Sequence, residues 1–212
     1  IAGEKITIDT DDVNHIRRVL RLSEGDVIEV CDSSGFDYSS KIEEIGDKSV
    51  VCSILSKKKS VTESSIKVTL YQGIPKGAKM DYIIEKTTEL GIFSIVPVLM
   101  SRCVVKLENK KAEQKKQERW QRIAEAAAKQ SGRGIIPKID MPKPIDEAIA
   151  EMKKSSLSIA PYECEDVSRL KPVLQGASSP PADISIMIGP EGGFDPSEIS
   201  KIRDAGILTV TL

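Results

Sequence analysis

A parallel α/β sheet flanked by helices, preceded by a small β-barrel, is the fold class that these 212 residues predict. Three observations lead there. Residues 5–55 carry short β-branched or alternating runs separated by glycine-containing turns, the pattern of a small antiparallel domain. From residue 66 onward, apolar runs alternate with amphipathic helical stretches, as strands buried on both faces between helices require. Between these regions, "SKKKSVTESS" (56–65) is polar, basic and serine-rich and reads as a linker. We expect a boundary near residue 62, with 1–62 the barrel and 63–212 the α/β domain.

In the first region "KITI" (5–8), "DVIEVCD" (26–32), "YSSKIEEI" (38–45) and "SVVCSIL" (49–55) are the strands. A helical piece, "DDVNHIRRVLRL", interrupts them, with Val13, Ile16 and Leu20 on one stripe, Val19 beside it and Asp11 or Asp12 at its start. In the second region "IKVTLYQGI" (66–74) is a strand. The helix after it turns Met80, Ile83, Ile84, Thr87 and Leu90 inward and stops at Gly91. "IFSIVPVLM" (92–100) is the next strand, followed by a long helix from about Asn109 to Gln130 with Trp120, Ile123, Ala124 and Ala127 on its apolar face. A short extended piece (135–139), a helix near 144–153, a strand (156–163), a helix or loop near 166–175 and a Ser/Pro loop (176–182) come next. The strand "DISIMIG", a helix from Pro196 to Ala205 and the strand "ILTVTL" finish the chain.

Composition narrows the chemistry. The formal charge is −1 although 30% of residues are charged, so an anionic partner must meet a local basic patch rather than bulk charge. The four cysteines are far apart and His15 is the sole histidine, which disfavours zinc motifs and most histidine-based catalysis. Thiols of this kind fit a reducing cytoplasm. No apolar run approaches the ~18 residues that cross a bilayer. The chain begins at Ile1 rather than Met, and we expect it to be a fragment or a processed form.

The stretch with the most chemical content is "IMIGPEGGFDPSEI", where a strand breaks into a glycine-rich turn. In open α/β sheets ligands sit beyond the carboxyl ends of strands, and glycines let backbone N–H groups approach a ligand without a Cβ in the way. The spacing is neither that of a dinucleotide turn nor that of a phosphate loop, which favours a flatter ligand. Asp195, Pro196 and Glu198 read as ordinary helix-start residues with a capping box. Glu191, set between glycines, has no such explanation.

Together with "KGAKMDYIIEKTTELGIFSIVPVLMSRCVVKL", "RWQRIAEAAAKQSGRGIIPKI" and "HIRRVLRLSEGDVIEV", the "IGPEGGF" turn resembles the RsmE family of ribosomal RNA uracil-N3 methyltransferases over nearly the whole chain. The resemblance implies a PUA-like β-barrel followed by a SPOUT-type domain whose C-terminal segment forms a trefoil knot around S-adenosylmethionine. It also implies a cytoplasmic homodimer that methylates N3 of one uridine in 16S rRNA of the small ribosomal subunit, without a metal. Carried over by position, Gly189, Glu191, Gly192 and Gly193 line the methyl-donor site, with Ile188, Ile159, Ala160 and Leu212 beside it. Ser101, Arg102 and Arg133 fall in motifs expected at the RNA side. Where the family pattern reads Arg-Ser-Val-Val this chain has Cys103, so a hydroxyl is missing there. The family's arginine-rich segment after "TL" lies past Leu212, and we expect it in the native protein.

Methyl transfer to N3 requires in-line alignment and loss of the N3 proton. Arg102 is the candidate for stabilising charge on the uracil oxygens, on a par with the arginines of that missing segment. Glu191 is expected either to orient the donor or to act as a proton acceptor. Arg17, Arg18 and Arg21 form a basic cluster suited to RNA phosphates, or a solvated helix face. A non-enzymatic RNA-binding protein is the alternative reading.

Overall fold

The computed structural model describes residues 4–9, 11–104, 110–166, 168–176 and 180–211. The chain packs as two compact units, Ile1–Glu63 and Ser64–Leu212.

The first unit runs β1 (Lys5–Asp9), α1 (Asp11–Asn14), β2 (Val27–Cys31), β3 (Phe36–Ile45) and β4 (Ser49–Lys59), with the antiparallel order β1-β4-β3-β2. Ile6, Val13, Ile16, Tyr38, Ile42, Val50 and Cys52 fill its core. Helix α1 widens into a π-helical turn over His15–Val19, in which Leu20 N–H donates to His15 O at 2.9 Å. That wider turn carries the apolar stripe off register after Ile16, so Val19 and Leu20, expected inside, are exposed. Strand β4 also runs further than its composition suggests. Lys57, Lys58 and Lys59, read above as linker, pair with Tyr38, Asp37 and Phe36, and Lys57 lies 4.0 Å above the Phe36 ring. The aliphatic lysine stems and this cation–π contact make the basic run compatible with a strand.

The second unit alternates strands and helices, except that β7 and β8 follow one another directly. Its strands are β5 (Lys67–Gly73), β6 (Ser94–Leu99), β7 (Lys138–Ile139), β8 (Lys143–Pro144), β9 (Leu157–Pro161), β10 (Asp183–Ile188) and β11 (Leu208–Val210). Its helices are α2 (Lys79–Glu89), α3 (Lys110–Gln130), α4 (Ile145–Met152), α5 (Leu170–Gln175) and α6 (Pro196–Asp204). The sheet is parallel, in the order β11-β9-β10-β5-β6-β7, and β8 also pairs with β6. Alternate strand residues point to opposite faces. Leu70 and Ile95 meet Met80, Ile84, Trp120 and Ala124 of α2 and α3, whereas Tyr71, Val96 and Val98 meet Ala148, Ile149, Ile199 and Ile202 of α4 and α6. Pro97, which has no N–H, falls between the β7 and β8 pairings of β6, where no ladder bond is needed.

Helix α2 ends as the sequence predicts, with one exception. Gly91 takes φ +96°, and the N–H groups of Gly91 and Ile92 return to Thr88 O and Thr87 O, a Schellman close. Leu90, expected inward, is 86% exposed because it sits at the cap, after the buried stripe of Met80, Ile84 and Thr88 has ended.

Candidate active site

The sheet order shows where a ligand of an open α/β sheet is expected before any residue is named. Strand β5 passes through α2 to β6 on one side, while β10 passes through α6 toward β11 on the other. The carboxyl ends of β5 and β10 are therefore a topological switch point, where connections diverge and ligands of open α/β sheets bind. The turn Gly189–Gly193 stands there.

The β5 side of that turn is closed by direct packing. A Cβ on Gly73 would stand 2.7 Å from Pro190 Cδ and 2.8 Å from Met100 Sδ, so only glycine fits. Gln72, buried beside it, donates Nε2 to the carbonyls of Gly73 (2.9 Å) and Gly189 (3.3 Å) and ties the two strand ends together. Glu191 reaches across as well. Its carboxylate accepts the Lys76 N–H at 3.1 Å and pairs with Lys79 Nζ at 2.7 Å. Lys79, with help from the N–H groups of Glu191 and Lys76, holds this carboxyl down at about 2. A carboxylate so held is ionised at neutral pH, and its contacts make Glu191 a clasp between the two loops.

Arg102 comes from the turn after β6. Its Nη1 donates to Gly192 O at 2.7 Å, its Nη2 lies 4.0 Å from Asp195 Oδ2, and a Cβ on Gly192 would touch its side chain at 3.4 Å. Glu198 fixes that approach. One carboxylate oxygen accepts the Asp195 N–H at 2.9 Å in the capping box of α6, and the other accepts the Ser101 N–H at 2.7 Å. The buried Glu198 thus caps α6 and positions the Ser101–Arg102 turn, a second duty that its capping spacing does not reveal. Cys103 accepts the Met100 N–H at 3.4 Å through its sulfur, and burial pushes its thiol up. It closes the turn rather than supplying a reactive group.

On the flank toward β9, Gly193 takes φ +68° and donates its N–H to Pro190 O at 2.9 Å. Glu163 Oε1 lies 2.8 Å from where a Cβ on Gly193 would stand. Two residues on, Glu165 accepts Thr209 Oγ1 at 2.5 Å and Arg203 Nη2 at 3.0 Å, which ties the loop after β9 to α6 and β11.

The fold therefore gathers Ser101, Arg102, Gly189, Glu191, Gly192 and Gly193 at one place, with Ile188 half-buried at the end of β10. It does not gather the rest. Ile159 and Ala160 are 2% and 0% exposed, because β9 is buried between β10 and β11. Arg133, expected to meet RNA, is 8% exposed and donates Nη1 to Ile92 O (2.6 Å) and Thr88 O (3.3 Å), so its guanidinium is spent on the end of α2. Leu212 lies outside the described residues. Arg17, Arg18 and Arg21 are exposed in the first unit, where Arg17 pairs with Asp47 at 2.9 Å. Gln72, Gly73, Lys76, Lys79 and Glu163 were not singled out by the sequence; the pairing of β10 with β5 brings the first four to the turn, and its pairing with β9 brings Glu163. Among the described residues no cluster of three or more His, Cys, Asp or Glu is arranged to hold a metal, and no helix is long and apolar enough to cross a membrane.

Residues 62–212 match the model of an RNA methyltransferase domain, and residues 8–55 that of an RNA methyltransferase PUA domain. The chain is 33% identical over 212 residues to the ribosomal RNA small subunit methyltransferase E of Bacillus subtilis, covering 97% of this chain and 81% of that protein. The chain belongs to the ribosomal RNA small subunit methyltransferase E family. Another methyltransferase E, from Aquifex aeolicus, is 30% identical over 213 residues, covering 99% of this chain and 86% of the relative. The crystal structure of a methyltransferase E from Neisseria gonorrhoeae bound to S-adenosylmethionine superposes with a TM-score of 0.83 at 28% identity, covering 100% of this chain and 85% of that one.

Proposed function

We propose that this chain is an S-adenosylmethionine-dependent methyltransferase of small-subunit ribosomal RNA and that its target atom is N3 of a uridine. The carrying observation is the Gly189–Gly193 turn at the switch point, in a chain that shares its fold with a relative solved with S-adenosylmethionine. The residues present fit that ligand. Gly193 lets the Glu163 carboxylate come up against the turn, Gly189 lets the turn fold tightly on Gly193 and Phe194, and Gly192 lets the Arg102 side chain lie against it, so charged groups approach the backbone from both flanks without a Cβ in the way.

When bound, S-adenosylmethionine supplies a methyl group on a sulfonium, which an in-line nucleophile displaces. Arg102 keeps the turn in shape through Gly192 O and offers its remaining N–H groups to the uracil oxygens, where negative charge grows as the N3 proton leaves. Glu191, Lys76 and Lys79 hold the β5 and β10 loops together so that both reactants meet a preformed surface. In the first unit Arg17, Arg18 and Arg21 take RNA phosphates, which orient the substrate without reading its bases. A homodimer acting in the cytoplasm, with a knotted C-terminal segment, belongs to the same reading.

Mass spectrometry of ribosomal RNA tests it. Cells lacking the protein should lose 3-methyluridine from the small-subunit RNA, the wild-type gene should restore it, and Arg102→Ala should restore it at least tenfold more slowly. Unchanged methylation in the deletion strain would leave RNA binding without catalysis as the function.

A further inference from the structure

We infer that Glu163 is the residue by which the site tells the positively charged methyl donor from its neutral product. This rests on reading the crevice as an S-adenosylmethionine site.

Five carboxylates surround the turn, and four are already engaged. Glu191 holds Lys76 N–H and Lys79, Glu165 holds Thr209 and Arg203, Glu198 holds the N–H groups of Asp195 and Ser101, and Asp195 accepts Ser197 N–H at 3.0 Å. Glu163 is exposed and, among the described residues, alone of the five without a hydrogen bond or ion pair. It is not turned away from the site. Its Oε1 occupies the space beside Gly193 that any side chain there would claim.

The strand order gives this carboxylate a direction. Lys76, Lys79 and Arg102 approach the turn from the β5 and β6 side, where Glu191 and Asp195 face Lys79 and Arg102, and Glu163 approaches from the β9 side, so the turn separates compensated charges from one negative charge without a partner among the described residues. An anionic RNA suits the first flank and a sulfonium the second. S-adenosylmethionine and S-adenosylhomocysteine share nucleoside, ammonium and carboxylate, and differ in the methyl group and in the charge on sulfur. In the reaction the methyl–sulfur bond breaks, its electron pair stays on sulfur, a methyl–N3 bond forms and the N3 proton is released. The attraction to Glu163 exists before that step and vanishes after it, which favours donor entry and product release.

The test is calorimetry of both ligands on full-length wild type, Glu163→Gln and Glu163→Asp, with thermal melts to establish that each variant is folded. Glu163→Gln should weaken S-adenosylmethionine about tenfold and leave S-adenosylhomocysteine within about twofold, and Glu163→Asp should recover most of the loss. The wild-type preference for the donor should shrink as salt rises, whereas that of Glu163→Gln should stay flat. Equal weakening of both ligands would make Glu163 a nucleoside or loop-shaping residue and overturn the inference, as would no change in either. A wild-type protein that binds neither ligand would instead remove the reading beneath it.

Discussion

Glu191 shows how a single side chain changes meaning once its neighbours are known. Placed between glycines it has the features of a catalytic acid or base, yet Lys79 at 2.7 Å and the Lys76 N–H make it an anion at neutral pH. Because its folded pKa is held at about 2, below the ordinary 4.5, its contribution to stability is complete above about pH 4.5 and fades as pH falls toward 2. Wild type should therefore unfold at higher denaturant than Glu191→Gln at neutral pH, and the two midpoints should converge between pH 4.5 and 2. In kinetics the same variant should raise KM for the donor more than it lowers kcat, because the turn loses its clasp but no reacting group is removed. A bell-shaped pH–rate profile that lost its acidic limb in Glu191→Gln would instead restore it as a base.

At the scale of elements, helix ends decide where the functional loops begin. Helix α6 starts at a capping box whose Glu198 also holds Ser101, so one helix terminus sets the position of the strand end that carries Arg102. Helix α2 ends in a Schellman turn completed from outside by Arg133, whose guanidinium takes the carbonyls of Thr88 and Ile92. Arg133→Met should cost about 1–3 kcal/mol in denaturant unfolding, because it removes the side-chain donor to the Ile92 carbonyl and the second donor to that of Thr88, and should leave RNA affinity unchanged. Reduced RNA affinity at unchanged stability would return Arg133 to the RNA surface. The helix stop itself was readable. Gly91 ends α2 at positive φ, as its spacing after the apolar stripe implies. The partner of such a stop, forty-odd residues away, leaves no trace in local pattern.

Across the whole molecule, the chain packs as two compact units, and the proposed function predicts that RNA binding and donor binding can be separated. Changing Arg17, Arg18 and Arg21 together to Glu should reduce RNA affinity at least tenfold and flatten its salt dependence, while calorimetry with S-adenosylmethionine stays at the wild-type value. Loss of both would mean that the π-helical turn bearing Arg17 and Arg18, with Arg21 just after it, supports folding rather than RNA.

Local pattern sufficed for the strand–helix alternation, the glycine turn at 189–193 and the α6 cap, because periodicity, turn chemistry and capping act over a few residues. The family motifs were legible for the same reason, as contiguous runs. Which residues meet the turn was decided by strand order alone. The parallel pairing of β10 with β5 and β9 brings Gln72, Lys76, Lys79 and Glu163 to residues far along the chain, and it buries Ile159 and Ala160 in the sheet. Strand order fixes contacts over long sequence separations, and no short-range rule of residue type encodes that choice.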